Sequence, residues 1–142
     1  MDAKLVAMRS LLLMFFLCVF LNSCDYNDHR LWIEKDTNQS ISFSTDQDTI
    51  PQLSNVNPTE YHFTNAVSPG ESENFVKPGS TKGWSYFIAN SKNERLNLFV
   101  YDIDSLKKYQ SIDTLIRRQI YTRHSFTEQE LDKMDWKIVI EN

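Results

Sequence analysis

Residues 96–118, LNLFVYDIDSLKKYQSIDTLIRR, contain a strand pattern followed at once by two helix starts, and they decide the fold class. The first part, 96–101, includes the β-favouring side chains Phe, Val and Tyr. Asp with Ser or Thr then recurs at 104–105 and 113–114, each time followed by basic side chains. Side-chain oxygens satisfy unpaired N–H groups at a helix start, and cations suit its C-terminal end. The segment therefore predicts one strand and two short helices.

The N-terminal half of the chain has weaker strand signals. In 40–44, SISFS, Ile41 and Phe43 alternate with serines, which predicts a half-buried strand whose serines face outward. Residues 46–80 hold all four prolines and two of the three glycines. Because proline is confined to edge strands and turns in β structure, we expect short edge strands and turns throughout this middle segment.

A further strand is expected just before the segment that decides the fold. In 84–89, WSYFIA, both alternating sets of side chains contain apolar groups, as expected for a central strand. Residues 90–93, NSKN, are turn formers that lead into 96–101. These two strands and the turn between them predict a β-hairpin.

The clearest local signal is a helix start near the C-terminus. Thr127 is placed as an N-cap, and Glu130 follows three residues later as its capping-box partner. Phe126 and Leu131 flank this pair at the positions of a hydrophobic staple. The pattern predicts a short helix with Leu131 on its buried side.

Two more strands complete the expected architecture. We expect one at Ile120–His124 and a last one at 136–140, where Trp136, Ile138 and Ile140 share one face. The predicted fold class is α+β: a mostly antiparallel, sandwich-like β domain with short helices near the C-terminus.

The first residues of the chain have the pattern of a signal peptide. Lys4 and Arg9 precede an unbroken apolar run of eleven residues, Leu11–Leu21. A transmembrane helix needs about 20 residues, so the run better suits a signal-peptide core. The alternative, a buried N-terminal helix, is disfavoured because the run is hydrophobic on every side and lies between basic and polar residues.

The run ends in a motif that resembles the bacterial lipobox: Leu21, Asn22, Ser23 and Cys24. The resemblance implies cleavage between Ser23 and Cys24, a diacylglyceryl thioether on Cys24, and acylation of the new N-terminus. Two or more acyl chains anchor a protein stably to a membrane. The expected organisation is a signal peptide at 1–23, the lipidated cysteine with a short tether at 24–30, and one globular β-rich domain at 31–142.

Cysteine content and charge exclude several classes of function. Cys18 falls inside the signal peptide, so with Cys24 alkylated the domain has no thiol for a disulfide, a metal or a nucleophile. A disulfide between Cys18 and Cys24 is the alternative, and the apolar surroundings of Cys18 argue against it. The net charge of −4 offers no basic surplus for nucleic acid.

No motif in the chain predicts catalysis, a metal site or a cofactor. The histidines, His29, His62 and His124, lack a two-ligand spacing. A pair of carboxylates acting on a glycoside stays open, because the separation that matters is spatial. The aromatic set Tyr61, Phe63, Tyr109 and Tyr121 could form a sugar-stacking surface, although aromatics at such positions usually belong to the core.

The order of motifs resembles the small uncharacterised lipoproteins of Bacteroides and its relatives. It is carried by the lipobox, by the segment from 38 to 50, by PGES at 69–72, and by the stretch from 98 to 136. The resemblance implies placement in the cell envelope at the outer membrane, with the outer leaflet favoured by acidic residues after Cys24.

The same resemblance implies O-glycosylation at Asp-Ser/Thr-aliphatic triplets, of which Thr49, Ser105 and Thr114 are the candidates. For Ser105 and Thr114 we favour a role as helix caps. Thr49, expected on a loop, is the best candidate.

The function expected from the sequence is a non-enzymatic, membrane-anchored binding module, held to the membrane by the lipid on Cys24. Its partner would be an envelope protein or a glycan. An inhibitor or immunity-type lipoprotein, with a protruding loop within 55–80, is the first alternative. A small envelope hydrolase that uses a carboxylate pair is the second.

Overall fold

A computed structural model describes residues 27–36, 38–53, 58–79 and 82–141. The predicted signal peptide, Ser23 and Cys24 lie outside the described residues. The described strands are β1 (Asn27–Asp36), β2 (Ile41–Asp46), β3 (Ser72–Pro78), β4 (Leu96–Asp102), β5 (Thr122–Phe126) and β6 (Lys137–Glu141). The described helices are α1 (Thr59–Thr64), α2 (Trp84–Ala89), α3 (Ile103–Tyr109), α4 (Ile112–Arg117) and α5 (Glu128–Lys133).

The strands form two three-stranded sheets, ordered β3-β1-β6 and β2-β4-β5. All pairs are antiparallel except β1 with β6, which is parallel. The predicted α+β class with mostly antiparallel strands is confirmed. Within the described ranges, no helix has the length and apolar character needed to cross a bilayer.

The core lies in two layers, one on each face of β4. On one face, Leu98 packs in a cluster with Ile33 and Ile138 of the other sheet. On the opposite face, Phe99 and Tyr101 pack against α3 and α4. Because both faces are covered, the side chains of 96–101 are all buried. The layers are therefore stacked in the order β3-β1-β6 sheet, β2-β4-β5 sheet, and helices α3 and α4.

The expected hairpin of 84–89 with 96–101 is wrong, because 84–89 forms α2 and β4 pairs with β2 and β5. Trp84 and Ile88 are buried and lie four residues apart, which places them on one helical stripe. Tyr86, which an alternating strand would place beside them, is 52% exposed. A short apolar run is compatible with both the strand period and the helix period, and tertiary packing determines that this one is helical.

The two helices expected after β4 are confirmed, but their caps differ from those expected. Asp102 caps α3 by accepting a hydrogen bond from the N–H of Ser105 at 2.8 Å. Ser111 caps α4 by accepting one from the N–H of Thr114 at 3.3 Å. Ser105 and Thr114 thus lie in the first helical turns, because each helix starts three residues earlier than a cap at Ser105 or Thr114 would place it.

The capping box at α5 is confirmed in detail. The N–H of Glu130 donates to Thr127 Oγ1 at 3.2 Å, and the N–H of Thr127 donates to Glu130 Oε2 at 2.7 Å. The strand after it, β6, buries Ile138 and Ile140, with Trp136 also buried just before it. The strand expected at Ile120–His124 is β5, which begins two residues later.

The middle segment departs from the expected edge strands and turns. It contains one edge strand, β3, as expected. It also contains α1, which begins directly after Pro58. Pro58 is the N-cap of α1, where its missing N–H removes no helical hydrogen bond, so it does not prevent the helix.

The sheet begins earlier than the sequence indicated. Residues 27–30, assigned to the tether, belong to β1, and Asn27 is in register with Pro78 of β3. Asp28 is buried there, accepts a hydrogen bond from the N–H of Trp84 at 2.9 Å, and pairs with Arg30 at 2.8 Å. Only two residues therefore separate Cys24 from the folded domain.

Candidate binding site

The site begins with a row of polar side chains on β2 that faces the helical layer. Ser42, Ser44 and Asp46 alternate along the strand, opposite Tyr101, Phe99 and Asn97 of β4 respectively. Serines were expected to face outward into solvent, and for Ser42 this is wrong because it is only 1% exposed. The helices cover this face of the sheet, so its polar side chains need partners inside the protein.

Helix α1 supplies the partner of Ser42. Its one buried side chain, His62, lies with Nδ1 2.8 Å from Ser42 Oγ. Among the described residues Ser42 Oγ has no other hydrogen-bond partner, so its hydroxyl donates to Nδ1 and the ring proton is assigned to Nε2. Burial lowers the pKa of His62, which favours this neutral form.

A cavity of about 230 Å³ opens beside His62. Its polar lining includes Ser44, Asp46, Gln47, His62 and Tyr101. Across the described residues, every fully buried side-chain nitrogen or oxygen has a hydrogen-bond partner. Among the described residues His62 Nε2 has none, so this nitrogen is not fully buried, and His62 is one of the residues that line the cavity.

Tyr101 supplies a second polar group in the cavity. Its hydroxyl lies 3.3 Å from Ser44 Oγ, and its ring packs edge-on against His62 with centroids 5.2 Å apart. Burial raises the pKa of Tyr101 to about 12. The phenol is therefore uncharged at neutral pH and can both donate and accept a hydrogen bond.

Asp46 holds the loop that closes the cavity. It accepts hydrogen bonds from the backbone N–H of Asp48 at 3.0 Å and of Gln52 at 3.3 Å. Lys77 lies close by, where burial lowers its pKa and the negative charge of Asp46 opposes that shift. The ammonium of Lys77 stands 4.1 Å from the ring centroid of Phe87. The carboxylate charge is thus partly balanced within the protein.

Thr45 and Gln52 complete the polar lining, and the rest of the described wall is apolar. It is formed by Leu53, Phe87, Ile112 and Ile116. Ligand pockets commonly combine such a wall with a few convergent polar groups. Pockets for drug-sized molecules measure about 300–1,000 Å³, so this smaller cavity suits a small molecule or a single unit of a larger one.

The pair of Ser42 and His62 does not form a catalytic dyad. A serine nucleophile must reach its substrate, whereas Ser42 is almost wholly buried and is not among the residues that line the cavity. Within the described ranges, no group of three His, Cys, Asp or Glu side chains is placed to hold a metal ion. The pair instead fixes the orientation of His62.

The glycosylation candidates fall in two settings. Thr49 lies in the loop after β2, where its carbonyl accepts a hydrogen bond from Arg123 at 2.9 Å. Ser105 and Thr114 are half-buried in helical turns. The lipidation and cleavage residues, Cys24 and Ser23, lie outside the described part of the chain.

The aromatic set considered as a sugar platform is dispersed. Phe63, Tyr109 and Tyr121 are half-buried and pack against the cluster under α3 and α4. Tyr61 is exposed and contacts the ring of His62 edge-on. None of these four aromatic residues lines the cavity, so the sequence did not predict the site. The sequence signal for the cavity was the set of alternating polar residues on β2 that continues to Asp46.

Comparisons with protein-family models, with curated proteins and with solved structures find no match for this chain.

Proposed function

We propose that this chain is a lipid-anchored envelope protein whose domain binds a small uncharged polar ligand, a single sugar unit being the best fit. The observation that carries the proposal is the cavity in which Ser44, His62 Nε2 and Tyr101 converge opposite an apolar wall. Hydroxyl groups of a sugar can both donate and accept, which matches this mixed set of donors and acceptors.

Charge supports an uncharged ligand. Among the described lining residues Asp46 is the one carboxylate, and no Lys or Arg lines the cavity. An anionic ligand would be repelled by Asp46. A cationic ligand would compete with Lys77, which already lies in the field of that carboxylate. A neutral polyol avoids both costs.

The chemistry of the lining supports binding without catalysis. Hydrolysis of a glycoside generally uses two carboxylates across the scissile bond. The described lining residues supply one, Asp46, and its oxygens already hold backbone N–H groups. An inhibitor role draws less support, because α1 and β3 take up half of the residues 55–80 that were expected to include a protruding loop.

The proposed cellular location of the protein rests on its sequence. The lipobox-like residues before Cys24 support anchoring in the outer membrane, with the outer leaflet favoured. Cells fed a labelled fatty acid should incorporate label into the wild-type protein and not into Cys24→Ala. Equal labelling of the two proteins, or an unprocessed N-terminus by mass spectrometry, would contradict the anchor.

Binding can be tested on the processed protein in phosphatidylcholine nanodiscs. The probes are the methyl glycosides of glucose, galactose, mannose and N-acetylglucosamine. We expect at least one to shift the methyl NMR signals of Ile112 and Ile116 with a Kd of about 1 mM, equivalent to about 4 kcal/mol. Ile138, which lies in the other core layer, is the internal control.

Two variants test whether the NMR response comes from the cavity or from the protein surface. Ser44→Ala should weaken the response, because it removes a hydroxyl from the cavity wall. Ser72→Ala, on the exposed edge strand β3, is the matched control and should leave it unchanged. If none of the four glycosides shifts the signals of Ile112 and Ile116, the proposed function is wrong.

A further inference from the structure

We propose that the cavity takes the uncharged sugar head group of a lipid that lies in the same membrane as the anchor on Cys24. The inference rests on the function proposed above and adds the source of the ligand. Three features support it: the short link from Cys24 to β1, the contacts that connect the start of β1 with a residue of the cavity wall, and exposed apolar side chains beside the cavity.

The anchor restricts which end of the domain meets the membrane. Strand β1 begins at Asn27, three residues after Cys24. Three extended residues span at most about 10 Å. A lipidated Cys24 therefore holds the first residues of β1 within about 10 Å of the lipid head groups.

Contacts connect this end of β1 directly to the cavity. Asp28 is in register with Lys77 of β3. The ammonium of Lys77 stands 4.1 Å from the ring centroid of Phe87, which lines the cavity. The amide of Gln47, another lining residue, donates to the carbonyl of Phe87 at 3.3 Å. Phe87 of the cavity wall is thus linked to the start of β1 through Lys77, which is in register with Asp28 and contacts the Phe87 ring.

Apolar side chains are exposed beside the lining residues. Leu53 lines the cavity and is 43% exposed, and Ile50 in the same loop is 63% exposed. Tyr86, next to Phe87, is 52% exposed. A free sugar gives these side chains nothing to cover them, whereas the glycerol and upper acyl chains of a glycolipid do.

The charges near this loop favour an uncharged head group over an anionic one. Lys92 forms an ion pair with Asp48, Lys77 lies in the field of Asp46, and Arg123 donates a hydrogen bond to the carbonyl of Thr49 at 2.9 Å. Anionic lipids are recognised by clusters of unpaired Lys and Arg side chains. These two lysines instead have acidic neighbours, so a neutral glycolipid fits better.

The test compares two sources of one sugar on the processed protein. Phosphatidylcholine nanodiscs are prepared with and without a minor fraction of diacylglycerol glycoside, using the sugar whose methyl glycoside binds. The methyl NMR signals of Ile112 and Ile116 are followed. Because anchor and ligand share one membrane, we expect an apparent Kd about 100-fold lower for the glycolipid than for the methyl glycoside.

The double variant Ile50→Ser with Tyr86→Ser tests the apolar contact, because both side chains are exposed and neither lines the cavity. It should weaken glycolipid binding about tenfold, since it removes apolar surface that the lipid would cover, and leave methyl glycoside binding unchanged. Val139→Ser is the matched control, because Val139 is also exposed, at 43%, but lies on β6, away from the cavity lining.

The outcomes separate the two proposals. If the methyl glycoside binds but the glycolipid binds no more tightly, or the double variant behaves like Val139→Ser, the membrane source is wrong and the sugar site stands. If no methyl glycoside binds, the sugar site is wrong and the membrane source falls with it.

Discussion

The hydroxyl of Ser42 lies 2.8 Å from Nδ1 of His62, and both side chains are almost completely buried. This hydrogen bond joins β2 to α1 beneath the cavity. It also leaves Nε2 as the ring nitrogen of His62 without a hydrogen-bond partner among the described residues.

Ser42→Ala should destabilise the fold, because it leaves His62 Nδ1 buried without a partner. An unsatisfied buried polar atom costs about 1–3 kcal/mol. Urea unfolding followed by circular dichroism measures the change in the free energy of unfolding. Ser68→Ala, a half-buried serine outside this pair, should cost less; equal losses for the two variants would contradict the assigned role of Ser42.

Stability should fall in mild acid because of His62. Burial lowers its pKa below the ordinary 6.5, so below pH 6.5 the unfolded chain binds a proton that the folded protein does not. The free energy of unfolding should then decrease by at most about 1.4 kcal/mol per pH unit down to the folded pKa. Above pH 6.5 this contribution is fully present.

His62→Gln should reduce the pH dependence of the free energy of unfolding between pH 7.5 and 5 without abolishing it. Burial also lowers the pKa of His124, which contributes in the same direction. His29→Gln is the exposed control. A slope that is unchanged in His62→Gln would show that His62 does not titrate differently in the two states.

Asp28→Ala should be among the most destabilising single changes near the start of β1. It removes the acceptor of the Trp84 N–H and the partner of Arg30, at a cost of about 3 kcal/mol. Burial raises the pKa of Asp28, but hydrogen bonds from Arg30 and Trp84 outweigh it and leave the pKa below 3.8. This contribution is present above pH 3.8 and is lost as pH falls through the folded value.

The matched variant for this prediction is Asp104→Ala, which removes a solvent-exposed carboxylate paired with Lys107. An exposed pair contributes little, so the loss should be below about 1 kcal/mol. Thermal unfolding of both variants at pH 7 compares them. Equal shifts in Tm would contradict the structural role of Asp28.

Tyr101 should ionise late in an alkaline titration. Its pKa of about 12 in the folded protein exceeds the ordinary 10, so its contribution to stability is present below pH 10 and is lost as pH rises through 12. Absorbance of the phenolate near the upper end of the titration measures it. Tyr101→Phe should remove that late component, and a titration unchanged in this variant would contradict the assignment.

Local interactions are the part of the fold that the sequence predicts well. The capping box of Thr127 and Glu130 involves residues three apart, so neither depends on the rest of the chain. The strand from Leu96 and the helices after it are also present as expected. In each case the signal spans a few neighbouring residues.

Packing decided the elements whose pattern was ambiguous. The run 84–89 is apolar on both alternating sets, so its sequence alone fits a strand or a helix. The buried stripe of Trp84 and Ile88 selects the helix. The parallel pairing of β1 with β6 joins residues about a hundred positions apart, and no local motif encodes that contact.

The chain by itself therefore determined the lipobox-like motif, the capping box of Thr127 and Glu130 and the α+β class, since these depend on residue type and short spacing. Only tertiary structure decided that Ser42 is buried, that His62 meets it, and that a cavity forms beside Tyr101. The physical reason is that a polar row on a strand indicates solvent or a covered site equally well. Which one it becomes depends on whether helices from distant parts of the chain pack over that face.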